Sequence, residues 1–159
     1  MVFLNGAFLP MEDAKVPVLD RGFIFGDAIY EFIPVYARRP FRLAEHFARL
    51  ERSLQEARIR NPHTRSTWQR HIEELISRQA FDNQGVYLQV TRGVDSRRSH
   101  AFPRQIRPTV MIMSEQLVPP AATECAQGVG AVSAVDNRDR KSTRLNSSHL
   151  KLSRMPSSA

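Results

Sequence analysis

The stretch Val86-Tyr-Leu-Gln-Val-Thr-Arg-Gly93 sets the strongest limit on what this chain can become. Its β-branched and aromatic residues read as a strand, which stops where Gly93 opens a loop. That loop carries Arg98 and His100, two residues apart, and closes on Phe102-Pro103. A guanidinium offers a planar fork of N–H donors, and an imidazole adds one from another angle, so the pair can converge on a carboxylate. Spacing alone leaves a second reading open, in which both side chains of an exposed loop are simply solvated.

The rest of the chain supplies strands and helices to go with it. Residues 2–9, Val-Phe-Leu-Asn-Gly-Ala-Phe-Leu, read as a hairpin turning at Asn5-Gly6, because both central residues accept positive φ. Asp20-Arg-Gly22 reads as a further turn. Residues 29–36 are β-rich, with Pro34 marking an edge, a bulge or a strand end. Alternation puts Ile29, Glu31 and Ile33 on one face and Tyr30 and Phe32 on the other. Tyr30 then reads either as a packed strand tyrosine or as a site residue. Residues 109–114 are another strand.

Between the strands, residues 43–59 repeat Leu43, Phe47, Leu50 and Leu54 at helical spacing, with Glu45, Arg49, Glu51, Arg52 and Glu56 off that seam. Arg49 can pair with Glu45, four residues before it, for about 0.3 kcal/mol. Asn61-Pro62-His63 breaks the helix, and Ser66-Thr-Trp-Gln69 has the form of a capping box opening a second one. Trp68, Ile72, Leu75 and Ile76 form its apolar face, which makes Trp68 a core residue. The expected class is α+β, an antiparallel sheet with two helices over residues 1–116. Residues 117–127, with Pro119-Pro120, read as a linker. Residues 128–138 begin a second, incomplete domain, with a strand over 128–135.

Three blocks carry a family resemblance. They are Val18-Leu-Asp-Arg-Gly-Phe-Ile-Phe-Gly-Asp-Ala-Ile-Tyr-Glu31, Phe41-Arg-Leu-Ala-Glu-His-Phe-Ala-Arg-Leu50, and Tyr87 to Gly93 with Arg98-Ser-His-Ala-Phe-Pro103. In this order they resemble the D-amino-acid aminotransferases, class IV enzymes that use pyridoxal phosphate. The resemblance covers residues 1–138 and implies an N-terminal half. It implies that Tyr30, Arg98 and His100 hold the substrate α-carboxylate and that Arg49 binds the cofactor phosphate. It also implies a homodimer, in which the Arg98 and His100 loop reaches the neighbouring subunit's site. The implied substrates are D-amino acids and 2-oxo acids of the D-alanine and 2-oxoglutarate type. The loop is one residue longer than in some relatives, so Arg97 competes with Arg98; the Arg-x-His-x-Phe-Pro spacing favours Arg98. Branched-chain aminotransferases and aminodeoxychorismate lyases are the alternatives within the class, and the Arg-x-His loop argues against both. A non-catalytic binding domain is the alternative outside it.

The same resemblance implies a Schiff-base lysine soon after Arg138, in a segment like Trp-x-Arg-Cys-Asp-Ile-Lys-Ser. Asp139-Arg-Lys-Ser-Thr-Arg-Leu-Asn-Ser-Ser-His149 stands there instead and resembles the translation of a common sequencing-library adapter. Residues 139–159 are therefore set aside as an artefactual, disordered tail. Lys141 lacks the apolar flanks that would desolvate a Schiff-base amine and reads as a solvated lysine. With no such lysine assigned, the 159-residue chain alone is expected to be inactive.

Charge and cysteine count narrow the partners. Net charge is +7, but residues 139–159 contribute +4 (five Lys or Arg against Asp139), leaving +3 for residues 1–138. The arginines there read as spread among acids, which removes most of the case for nucleic acid. Cys125 is the single cysteine, so no disulfide framework is expected, in keeping with a cytoplasmic protein. No metal-ligand spacing and no membrane-length apolar run is found.

Overall fold

A computed structural model describes residues 1–133. The first compact unit runs from Met1 to Val118. Its sheet has six strands: β1 (Val2–Leu4), β2 (Ala7–Leu9), β3 (Ala28–Tyr36), β4 (Arg39–Pro40), β5 (Gln84–Thr91) and β6 (Thr109–Gln116). Their order is β2-β1-β6-β5-β3-β4, and every pairing is antiparallel. Two helices, α2 (Leu43–Glu56) and α3 (Arg65–Ser77), join β4 to β5; a short α1 (Arg21–Phe25) precedes β3. The expected α+β class, a sheet with two main helices, is the one observed.

The expected hairpin forms, with Asn5 at φ 50° and Gly6 at φ 106°. Pro34 lies inside β3, where Phe41 N–H donates to its carbonyl. N and O of one strand residue point the same way, so its missing N–H faces the two-residue β4 and not the long β5 ladder.

Register sorts the strand residues into two faces. Ile29, Glu31 and Ile33 of β3 lie opposite Val90, Leu88 and Val86 of β5, and Leu88 opposite Ile112 of β6. This face is buried, along with Phe47, Leu50 and Leu54 of α2 and Trp68, Ile72, Leu75 and Ile76 of α3. At about 1.5 to 3 kcal/mol for each large apolar side chain, this burial is what holds α2 and α3 to the sheet. The other face carries Tyr30, Phe32, Tyr87, Met111 and Met113, all partly or well exposed.

Several local expectations differ from what forms. Asp20-Arg-Gly22 is not a free turn: Asp20 caps α1, its carboxylate accepting from Gly22 N–H. Helix α3 starts earlier than Ser66, because the Thr64 hydroxyl accepts from Thr67 N–H and makes Thr64 the cap. The expected 117–127 linker contains a helix, α4 (Ala122–Gln127), with the Glu124 carboxylate accepting from Ala121 N–H. The expected strand over 128–135 does not form over residues 128–133, which are exposed and unpaired. A lone segment has no ladder to satisfy its backbone. Residues 134–138 and the tail 139–159, with Lys141, lie outside the described residues. No helix among the described residues is long and apolar enough to cross a membrane.

Candidate functional site

The loop after β5 is fastened at both ends. At its start Gly93 sits at φ 111°, where a Cβ would come 1.9 Å from the Arg107 carbonyl oxygen, so only glycine fits. Behind it the fully buried Asp20 carboxylate accepts from Thr91 Oγ1 at 3.1 Å and Thr109 Oγ1 at 2.6 Å, tying the end of β5 to the start of β6.

Two buried arginines then share one carboxylate. Arg21 Nε donates to Asp27 at 2.8 Å, and its Nη1 donates to the Ser99 carbonyl at 2.6 Å. Arg92 donates to both Asp27 oxygens, at 2.7 and 3.0 Å, and to the Arg58 and Ala57 carbonyls at 2.7 and 2.8 Å. Its guanidinium also lies 3.9 Å from the Phe102 ring centroid. Burial pushes the Asp27 carboxyl up, but the hydrogen bonds and charges of Arg92 and Arg21 outweigh it and hold it below the usual range. A charged Asp27 thus joins α1, the end of α2 and the loop.

This anchoring brings the expected loop pair together. The Arg98 guanidinium lies 5.1 Å from the Phe25 ring centroid, and the His100 ring lies 5.0 Å from it. Both side chains are exposed, so their donors are open to a ligand. Arg97 is exposed as well, but among the described residues no such contact holds it.

Tyr30 lies on β3 and Arg49 on α2. Tyr30 is 46% exposed on the open sheet face and stacks on Tyr87 at 5.5 Å. Arg49 does not pair with Glu45, which takes Arg42 instead. It makes a two-pronged bond to Glu31, Nε at 2.7 Å and Nη2 at 2.5 Å. Glu31 also receives His46 Nδ1–H at 2.8 Å, which puts a proton on Nδ1, since a carboxylate can only accept. Glu31 is only 3% exposed; burial raises its pKa, yet the bonds and charges of Arg49 and His46 bring it below the ordinary value. The Glu31 hydrogen bonds in turn raise that of Arg49. Among the described residues, no hydrogen bond or ion pair joins Arg98 or His100 to Tyr30 or Arg49.

Arg21, Asp27, Glu31, His46 and Arg92 were not expected as parts of the site. The available signal was two carboxylates at positions due to face the core, Asp27 near and Glu31 on the buried face of β3, each needing a partner. The arginines are also not all spread among acids: Arg58, Arg60, Arg104 and Arg107 gather around one concavity.

The model of the family described as amino-transferase class IV matches residues 28–157. The chain belongs to the class IV aminotransferases. A D-alanine aminotransferase of Staphylococcus epidermidis is 38% identical over 138 residues, covering 86% of this chain and 48% of that protein. The chain spans about half the length of the curated relatives it matches. A branched-chain amino acid aminotransferase of T.th., complexed with N-(5'-phosphopyridoxyl)-L-glutamate, superposes with a TM-score of 0.66 and 27% identity. That match covers 73% of this chain and 40% of that one. The 4-amino-4-deoxychorismate lyase of Pseudomonas aeruginosa gives a TM-score of 0.64 at 27% identity, over 81% and 44% of the two chains. These two solved structures thus share the fold of most of this chain.

Proposed function

We propose that these residues serve the transfer of an amino group from a D-amino acid to a 2-oxo acid, of the D-alanine and 2-oxoglutarate type, in a cytoplasmic homodimer using pyridoxal phosphate. The observation that carries the reading is the fastening of Arg98 and His100 around Phe25, with their donors exposed. The similarity to a D-alanine aminotransferase supports the D-amino-acid part.

The residues present fit the phosphate end of the cofactor. Arg49 commits Nε and Nη2 to Glu31, and its side chain is 38% exposed, so Nη1 remains for a phosphate oxygen. When bound, the cofactor would supply the electron sink that lets an amino acid lose its Cα proton. The protein's part is orientation. Arg98 and His100 grip the substrate α-carboxylate, the Tyr30 hydroxyl donates to it from the sheet face, and the grip decides which face of Cα is presented. In the dimer the loop pair serves the neighbouring subunit's site; within one chain, among the described residues, no hydrogen bond or ion pair joins it to Tyr30 or Arg49.

Substrate choice tests this. Assayed as the pyridoxal phosphate holoenzyme, a full-length enzyme carrying these residues should convert D-alanine and 2-oxoglutarate to pyruvate and D-glutamate. It should leave L-valine and aminodeoxychorismate largely unused. Preference for L-valine would give the function to a branched-chain aminotransferase, and pyruvate release from aminodeoxychorismate to a lyase. Both stand as second readings because of the structural likenesses at 27% identity. The 159-residue chain by itself is proposed to lack turnover; pyridoxal-phosphate-dependent transamination by that purified chain would overturn this part.

A further inference from the structure

Arg58 and Arg60 follow the end of α2, and Arg104 and Arg107 precede β6, yet all four line one concavity of about 460 Å³. None of the lining residues is acidic. The four side chains are exposed, and among the described residues none makes a hydrogen bond or ion pair. Four like charges around one hollow repel one another unless an anion joins them.

The fold holds the arrangement in place. Arg92, buried in the wall, donates to the Arg58 and Ala57 carbonyls and so fixes the first loop. Arg58 sits at φ 54°, a conformation uncommon for a residue with a side chain. The second loop is fixed by the close approach of Gly93 to the Arg107 carbonyl. The Asp27 carboxylate pairs with the buried Arg92, whereas the four exposed guanidinium groups have no acidic partner among the described residues.

We propose that this concavity binds an anion built of two or three linked phosphates. A single orthophosphate can engage only one or two guanidinium forks, whereas a phosphate chain offers each fork its own pair of oxygens. The volume lies within the range of small-molecule sites. Pro103, Ile106 and Pro108 add an apolar wall, so the chain can be free or carried by a nucleoside.

Isothermal titration of the 159-residue chain with inorganic tripolyphosphate, at moderate salt, tests this without any assay of turnover. The R104Q/R107Q double variant should weaken binding at least tenfold. The R39Q/R52Q double variant removes the same charge from exposed, unpaired arginines elsewhere and should change it less than twofold. Orthophosphate should bind at least tenfold more weakly than tripolyphosphate. A nucleoside triphosphate binding more tightly than tripolyphosphate supports the nucleotide as source; tighter tripolyphosphate supports the free chain. Absence of binding by both, or equal losses in the two double variants, overturns the site.

Discussion

Glu31 shows how one buried charge can be settled by its neighbours. It sits on the core face of β3 between Leu88 and α2, and tolerates that place because Arg49 and His46 supply three hydrogen bonds. Replacing it by glutamine leaves Arg49 without its two-pronged partner and should destabilise the fold by about 2 kcal/mol in urea unfolding. Acid should act the same way. A carboxylate with a lowered folded pKa stabilises fully above its unfolded value, near about 4.3, and loses that contribution as pH falls through the folded value. The Glu31→Gln variant should therefore show a flatter fall in stability below about pH 4.3 than the parent protein. An unchanged acid profile would mean that Glu31 does not act as a charge.

At the level of elements, the Asp27 network turns a loop into a positioned part. Arg21 holds the loop through the Ser99 carbonyl, and Arg92 holds the end of α2 and the Phe102 ring. The substitution Asp27→Asn leaves two buried guanidinium groups short of a counter-charge, which should cost about 3 kcal/mol. Amide hydrogen exchange should speed up across residues 95–103 and at residues 57–58, and stay slow in the middle of β5 and β6. Equal slowness in the loop would show that it is held by something else. Much at this scale was legible in the sequence. Period-two and helical apolar patterns fix β3, β5, α2 and α3, because each must bury one face. Caps and buried ion pairs were less legible. The partner of Arg49 lies 18 residues away across a strand–helix packing, whereas local spacing offered Glu45, four residues away. Which arginines crowd and which pair depends on loops that meet only in three dimensions.

For the whole molecule, the proposal that the loop pair serves the neighbouring site leads to a complementation test. In a full-length holoenzyme carrying these residues, Arg98→Gln and Arg49→Gln should each abolish most activity. If the loop pair serves the neighbour, a mixed dimer places both lesions in one site and leaves the other intact. Refolding the two variants together in equal amounts should recover roughly a quarter of the parent activity, because half the dimers are mixed and each has one good site. No recovery would show that Arg98 and Arg49 serve the same chain's site.

The short strands at the rims of the sheet have a consequence of their own. The long ladders of eight residues, β5 against β3 and β6, are interior, while the rims are β2, with three residues, and β4, with two. At β4 a foreign strand would find only two rungs, one of them proline, but β4 itself covers only Val35 and Tyr36 of β3. Among the described residues no strand covers the outer edge of β3 from Ala28 to Ile33, so an added strand would pair there, along residues rich in β-formers.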